Sequence, residues 1–123
     1  MKKLRVNVGK GYDILIEKGI LSSAAEYIKT VTNAKKICII SDTNVYSIYG
    51  DNIKLQLESN GYEVFDFVFK AGEESKTTAT VISMVEYLAE NEFTRNDLIV
   101  ALGGGVTGDM AGFAASIFLR GID

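Results

Sequence analysis

The sequence predicts an α/β fold in which a parallel β-sheet is flanked by helices, with a β-hairpin at the N-terminus. Three short apolar runs predict the strands of this sheet, at residues 37–40, 62–69 and 98–102. Helical patterns separate these runs, and strands that alternate with helices are typical of a parallel sheet. Since no linker or repeat divides the chain, we expect one domain over residues 1–123.

The N-terminal segment has the alternating pattern of a hairpin. Apolar residues alternate with polar ones over residues 4–8 and again over 12–16, which is the spacing of strands with one buried face. Gly9 and Gly11 lie between the two runs and supply a tight turn. We therefore expect a two-stranded hairpin with one face buried.

The predicted helices share apolar faces with a spacing of three or four residues. They cover residues 20–31, then Val45, Tyr49, Ile53 and Leu57, then Val81, Met84 and Leu88, and a last helix after Gly103. Ser22 or Ser23 is the expected N-cap of the first helix, and Ser75 or Thr77 that of the third. Gly61 lies where the second helix is expected to end.

Composition excludes several classes of function. The 13 Lys and Arg against 16 Asp and Glu give a net charge of −3, which argues against nucleic-acid binding and against a polybasic membrane surface. The chain has no His, so it cannot build a Ser-His-Asp triad or an imidazole-ligated zinc site. Its one Cys, in the apolar run, is expected to be inert core. No targeting or membrane-spanning segment is recognisable, and we expect a cytoplasmic protein.

Polar and glycine-rich segments follow each of the three predicted strands. They are 41–44 (Ser-Asp-Thr-Asn), 71–76 (Ala-Gly-Glu-Glu-Ser-Lys) and 103–109 (Gly-Gly-Gly-Val-Thr-Gly-Asp). Ligands of open parallel sheets bind at the carboxyl ends of the strands. The three segments together therefore predict the position of a binding site.

The segment 103–109 carries the strongest signal. Gly103, Gly105 and Gly108 satisfy the pattern G-x-G-x-x-G between a strand and a helix. Glycines let the backbone approach a ligand closely, and the free amides of the helix start favour a pyrophosphate. Asp109 stands where a P-loop needs Lys, so a P-loop is excluded. A tight strand–helix junction without a ligand remains the alternative.

Structural alternatives also remain open for the other two segments. Asp42 and Asn44 suit the cap of the following helix as well as the hydroxyls of a ribose. Glu73 and Lys76 are three residues apart at the expected start of a helix, which suits a surface ion pair or a capping role. Asp109 is expected in the first turn of the last helix, where it suits the helix dipole but would repel a phosphate.

Taken together, these segments resemble the 3-dehydroquinate synthase family of sugar-phosphate cyclases. Residues 98–122 look like the glycine-loop signature of that family over its full extent. Gly72-Glu73-x-x-Lys76 and Ser41-Asp42-x-Asn44 look like two further family motifs, in the right order. One departure is Thr107, where an aliphatic residue is commoner. The resemblance implies that residues 1–123 are a Rossmann-like, NAD-binding N-terminal domain.

The resemblance also implies roles for individual residues. The cofactor-binding residues would be Asp42, Asn44, Gly72, Glu73, Lys76, Gly104, Gly105, Val106, Thr107, Gly108 and Asp109. Backbone amides from Gly104 to Gly108 would meet the pyrophosphate. Asp42, Glu73 and Lys76 would hold the adenosine ribose, with Asn44 beside them, and Asp109 would lie toward the nicotinamide.

For the complete enzyme, the resemblance implies a lyase of the shikimate pathway of aromatic amino acid biosynthesis. It would convert 3-deoxy-D-arabino-heptulosonate 7-phosphate to 3-dehydroquinate and phosphate, and act as a homodimer. Arg120 would reach the substrate phosphate across the dimer interface. A divalent metal, Zn or Co, would be held by one Glu and two His of a helical C-terminal domain that residues 1–123 do not include. This chain alone is therefore expected to be inactive.

Three other functions compete with this interpretation. Another sugar-phosphate cyclase or a polyol dehydrogenase, such as a glycerol dehydrogenase, would have a similar architecture. A non-enzymatic α/β binding module is the alternative of a different class. A receiver-type module is disfavoured, because it needs clustered acidic residues near the N-terminus and the first strand offers none.

Overall fold

The computed structural model describes residues 1–123, and its elements follow the predicted order. The strands are β1 (Lys2–Val6), β2 (Tyr12–Ile16), β3 (Lys36–Asp42), β4 (Glu63–Phe69) and β5 (Leu98–Leu102). The helices are α1 (Ala24–Val31), α2 (Thr43–Val45), α3 (Asp51–Ser59), α4 (Thr78–Glu90) and α5 (Gly105–Ile117). Short 3-10 turns cover Ile20–Ser23, Glu73–Ser75 and Phe118–Arg120, and a π-helical turn, Tyr46–Gly50, joins α2 to α3.

Strands β3, β4 and β5 form the predicted parallel sheet, in the order β4-β3-β5. In the central strand, Ile39 is paired with Asp66 of β4 on one side and with Val100 of β5 on the other. The chain leaves β3 through α2 and α3 to reach β4, and returns over β3 through α4 to reach β5. Because parallel crossovers are right-handed, these two connections lie on opposite faces of the sheet. The prediction of helices on both faces is confirmed.

The central strand β3 is buried on both faces, which explains its continuous apolar run. Ile37 and Ile39 are fully buried in a cluster with α1 and α3. Cys38 and Ile40 are fully buried in a second cluster, with α4 and α5 on the other face. Burial raises the pKa of the Cys38 thiol to about 12, so the thiol stays protonated at neutral pH. The prediction of an inert core cysteine is confirmed.

A side-chain cap marks the start of α4 but not that of α1. Thr77, one of two predicted caps, accepts a hydrogen bond at Oγ1 from the amide of Thr80, 3.2 Å away. The prediction of a serine cap for the first helix is wrong. Ser23 precedes α1 without a side-chain cap bond, and Ser22 Oγ donates to the Gly19 carbonyl instead. The reason is that a 3-10 turn runs directly into α1, so Ser23 lacks the extended backbone of a cap.

The predicted second helix extends beyond the apolar residues 45–57 at both ends and stops just before Gly61, as expected. It runs through 43–59 as α2, the π-helical turn and α3. Gly61 has a φ of +89°, and its amide donates to the Glu58 carbonyl at 3.0 Å. The amide of Tyr62 reaches back to the Leu57 carbonyl at 3.2 Å. These bonds satisfy carbonyls at the helix end, and the left-handed backbone favours glycine there.

The N-terminal hairpin forms as predicted, but its apolar face is not buried in this chain. Strands β1 and β2 pair only with each other, with Leu4 opposite Ile14 on the apolar face. These two side chains keep 42% and 40% of their surface exposed. On the other face Arg5 forms an ion pair with Asp13 at 3.3 Å. The expectation of a buried face is wrong because no other element of the chain packs on it.

Replacement of Ile39 tests the importance of the doubly covered strand. We expect Ile39→Ala to lower the free energy of unfolding by about 2–5 kcal/mol, because the site cannot collapse between two packed layers. The control is Ile48→Ala, since Ile48 is 69% exposed and its loss should change stability by less than about 0.5 kcal/mol. Urea denaturation measures both, and equal losses would contradict the packing described.

Candidate functional site

The three predicted segments meet at the carboxyl edge of the sheet, where hydrogen bonds join them. Thr43 Oγ1, just after β3, accepts a bond from the amide of Ala71, after β4, at 3.1 Å. Ser41 Oγ, near the end of β3, donates to the carbonyl of Leu102, the last residue of β5, at 2.7 Å. The segments are therefore braced against one another and form one surface.

The glycine loop starts α5 with free backbone donors. Gly104 is the N-cap, and no side chain caps the helix. The amides of Gly105, Val106 and Thr107 lie in the first turn, where an α-helix offers them no partner. With the helix dipole, they form a site that favours an anion. The Gly108 amide, expected to bind pyrophosphate, already donates to the Gly104 carbonyl at 3.0 Å, and that expectation is corrected.

Close packing beneath the loop explains why Gly103 is glycine. Its φ is +155°, and a Cβ there would lie 2.7 Å from Thr107 Oγ1 and 3.0 Å from Thr107 Cβ. Thr107 is buried, with 1% of its surface exposed, and its hydroxyl has no hydrogen-bond partner. A Cβ at Gly104, in contrast, would meet no atom within 4 Å. The outer side of the loop is thus open while its inner side is filled.

Asp42 caps the helix that follows β3, as one interpretation of the sequence predicts. Its Oδ1 accepts bonds from the amides of Asn44, at 2.9 Å, and Val45, at 2.8 Å. Its Oδ2 has no partner in the protein and remains free to accept a hydrogen bond from a ligand. The Asn44 side chain is exposed and also makes no hydrogen bond. Capping and ligand binding are therefore compatible roles for this carboxylate.

The second segment turns sharply and brings Lys76 to the start of α5. Gly72 has a φ of +120°, which favours glycine, and Glu73 after it is exposed. Lys76 Nζ lies 2.9 Å from Asp109 Oδ2, so the expected ion pair between Lys76 and Glu73 is not formed. The hydrogen bond to Asp109, and then the charge of that residue, raise the pKa of Lys76 above its ordinary value. Lys76 therefore stays positively charged at neutral pH.

The positions of two predicted residues need separate comment. Asp109 is the fifth residue of α5 and so lies in its second turn, not in the first turn as expected. Arg120 follows the far end of α5, about 20 Å from the glycine loop given a rise of about 1.5 Å per residue. Both Leu119 and Arg120 have left-handed backbones, with φ of 47° and 70°. The structure thus gathers the cofactor candidates but leaves Arg120 apart from them.

The chain offers no metal site of its own. No group of three or more His, Cys, Asp or Glu side chains is arranged to hold a metal ion. Its helices are too short or too polar to cross a membrane. The surface at the edge of the sheet therefore suits an anion. Its anion cradle is the set of free amides of residues 105–107, accompanied by the free Oδ2 of Asp42 and by the ion pair of Lys76 with Asp109.

Comparison with known proteins agrees with this geometry. A family model described as 3-dehydroquinate synthase N-terminal matches residues 66–123. The 3-dehydroquinate synthase of Streptococcus thermophilus (strain CNRZ 1066) is 48% identical over 121 residues, which are 98% of this chain and 34% of that protein. That of Clostridium acetobutylicum is 46% identical over 123 residues, with 99% and 35% covered. The chain is therefore similar to 3-dehydroquinate synthases over nearly all of its own length.

Solved structures of other cyclases share the fold. One is 2-deoxy-scyllo-inosose synthase in complex with carbaglucose-6-phosphate, NAD⁺ and Co²⁺, with a TM-score of 0.85 and 28% identity over 98% of this chain and 33% of that one. Another is 2-epi-5-epi-valiolone synthase from Streptomyces hygroscopicus with NAD⁺ and Zn²⁺, with a TM-score of 0.74, 28% identity, and 97% and 33% covered. The chain spans about a third of the length of its 3-dehydroquinate synthase relatives.

Sequence reasoning missed two hydroxyls that organise the site, those of Ser41 and Thr43. Both belong to the predicted segment 41–44, in which the sequence indicates roles only for Asp42 and Asn44. The signal is a hydroxyl side chain at the end of a buried strand or directly after it, where neighbouring loops need donors and acceptors. Their partners, Leu102 and Ala71, lie far away along the sequence, so the pairing itself was not predictable.

Two glycines of the same loop provide a matched test. We expect Gly103→Ala to destabilise the chain by about 1–3 kcal/mol, because the new methyl group would collide with Thr107. Gly104→Ala should cost less than about 1 kcal/mol, because the space around it is open and its φ is −90°. Thermal unfolding of both variants checks the order, and a Gly104 variant that is the less stable of the two would contradict the described loop.

Proposed function

We propose that residues 1–123 are the NAD-binding N-terminal domain of a 3-dehydroquinate synthase. The observation that carries this proposal is the anion cradle of α5, with its free amides at Gly105, Val106 and Thr107 beside the free oxygen of Asp42. The similarity to 3-dehydroquinate synthases supports it, and so does NAD⁺ in the complexes of two structurally similar cyclases. The chain resembles these proteins in the parts that build the cradle.

The residues present fit a dinucleotide. The pyrophosphate would bind at the first turn of α5, where Gly104 leaves room for close approach. Asp42 Oδ2, at the end of the neighbouring strand, would accept hydrogen bonds from the adenosine ribose. Glu73, Asn44 and Gly72 are exposed or open around the same edge and would complete the adenosine side.

The ion pair between Lys76 and Asp109 makes the cradle compatible with phosphate. A lone carboxylate close to the helix start would repel the diphosphate, as the sequence suggested. Lys76 Nζ, 2.9 Å from Asp109 Oδ2, offsets that charge. The pair would stand on the nicotinamide side of the cradle, so Lys76 acts there with Asp109 and not with the ribose-binding Asp42.

For the whole protein we propose the conversion of 3-deoxy-D-arabino-heptulosonate 7-phosphate to 3-dehydroquinate and phosphate. Bound NAD⁺ supplies a hydride acceptor for the transient oxidation of a ring hydroxyl, and returns the hydride later in the cycle. This chain contributes the firm grip on the cofactor that such recycling requires. Arg120 would bind the substrate phosphate of a partner subunit in a homodimer, since guanidinium and phosphate match as charged donors and acceptors.

The residues of this chain do not fit a catalytic metal ion, so no step is assigned to one here. The complexes of the similar cyclases contain Co²⁺ or Zn²⁺. We infer that metal ligation belongs to parts of such enzymes that correspond to none of residues 1–123, and that this chain alone does not turn over. The proposed setting is the cytoplasm, where the pathway's sugar phosphate would be its substrate.

A related cyclase is the second candidate. It is supported by the structural similarity to 2-deoxy-scyllo-inosose synthase, with a TM-score of 0.84 over 98% of this chain. That enzyme and 2-epi-5-epi-valiolone synthase, which form different carbocycles, have both been solved with NAD⁺ bound. The cofactor cradle is expected to be common to both functions. The greater sequence identity to 3-dehydroquinate synthases, 48% against 28%, favours the first.

Asp42 provides a test of cofactor binding that leaves the fold intact. Asp42→Asn keeps an oxygen to cap α2 but removes the charge beside the ribose. We expect the wild-type chain to bind NAD⁺ in preference to NADP⁺, because the carboxylate repels a 2′-phosphate. The variant should narrow that preference by roughly tenfold, which corresponds to about 1.4 kcal/mol.

Isothermal titration calorimetry with each dinucleotide measures this preference. Asp51→Asn is the control, since it removes one exposed charge at the start of α3 away from the three loops. A folded wild-type chain that binds neither dinucleotide would contradict the proposed function. An unchanged NAD⁺ to NADP⁺ ratio in the Asp42 variant would contradict the ribose contact alone.

A further inference from the structure

Ser41 is one of only two buried polar residues in the chain, and it lies in the central strand. None of its surface is exposed, and the four residues before it in β3, Ile37 to Ile40, are apolar and fully buried. A hydroxyl in such a place destabilises the fold unless it forms a hydrogen bond. Its presence in the most buried strand therefore calls for a bond that matters to the fold or to the site.

That bond leads directly to the glycine loop. Ser41 and Leu102 are the last aligned pair of β3 and β5, and Ser41 Oγ donates to the Leu102 carbonyl at 2.7 Å. This carbonyl belongs to the peptide unit that joins Leu102 to Gly103. The hydroxyl thus holds the chain at the point where β5 ends and the loop begins.

Gly103, the first residue of the loop, is restrained by a second contact, the packing of Thr107 against it. Thr107 packs so closely under Gly103 that a Cβ at Gly103 would be 2.7 Å from its Oγ1. Between these two contacts the loop has little freedom to rotate before α5 begins at Gly105. The direction in which the free amides of residues 105–107 point depends on the conformation of the chain at this helix start.

We propose that Ser41 is a positioning residue of the nucleotide site, whose hydroxyl fixes the Leu102–Gly103 peptide and so aims the amides of residues 105–107. The inference rests on the proposed function, because it assigns these amides to the diphosphate. It adds a residue that touches neither phosphate nor ribose. The adjacent residue, Asp42, would bind the adenosine ribose from the same strand end. The end of β3 therefore contributes two residues to the site, one that contacts the ligand and one that positions the loop.

The test compares Ser41→Ala with Ile39→Val, which removes one buried methyl group from the same strand and weakens packing without touching the loop. The probe is ADP, titrated calorimetrically well below the melting temperature of each variant. Ser41→Thr, which keeps the hydroxyl, is the rescue variant. Amide hydrogen exchange of residues 103–107, followed by NMR spectroscopy without nucleotide, reports the order of the loop independently.

We expect Ser41→Ala to weaken ADP binding by about three- to tenfold, in line with the loss of one hydrogen bond. Its loop amides should exchange faster, while Ile39→Val should change neither quantity. Unchanged ADP affinity in Ser41→Ala, or equal weakening in Ile39→Val, would overturn the proposal. A folded Ser41→Thr variant with the low affinity of Ser41→Ala would also overturn it.

Failure of the proposed function has a different signature. In that case the wild-type chain itself binds no ADP, and hydrogen exchange alone decides the role of Ser41. Faster exchange confined to residues 103–107 in Ser41→Ala would still support positioning of the loop. Exchange equal to that of the wild type would overturn it.

Discussion

The central strand β3 lies between two parallel neighbours and two layers of helices, and the other elements depend on this arrangement. Because β4 and β5 run parallel to it, all three strands end at the same edge. The polar segments that follow them, far apart in the chain, are therefore brought together at that edge, where hydrogen bonds then join them. Apolar burial of Ile37 and Ile39 on one face, and of Cys38 and Ile40 on the other, thus determines where the binding surface forms.

Charge at that edge is balanced locally. The helix start favours an anion, whereas Asp109, one turn later, opposes one. Lys76 resolves this conflict from the neighbouring loop, and its raised pKa keeps it charged at neutral pH. Both side chains are largely exposed, so the pair adds little to stability. Its consequence is a cradle that accepts a diphosphate despite a nearby carboxylate.

Sequence reasoning predicted the features that depend on local pattern and strand topology. The parallel sheet, the end of α3 just before Gly61 and the grouping of three loops all follow from periodicity and glycine placement. The sequence could not predict that Lys76 forms its ion pair with Asp109, because Asp109 is 33 residues away along the chain whereas Glu73 is only three residues away. The apolar face of the hairpin was wrongly expected to be buried, since alternation shows which face is apolar but not whether anything covers it.

We propose that the start of α5 and the end of β3 form one dinucleotide site. Its most direct test is an NMR titration of the ¹⁵N-labelled chain with NAD⁺, following each backbone amide. We expect saturable shifts at residues 103–107 and 42–45, with the hairpin amides at 2–16 unchanged. Shifts confined to other residues, or none at millimolar NAD⁺ with a folded sample, would contradict it.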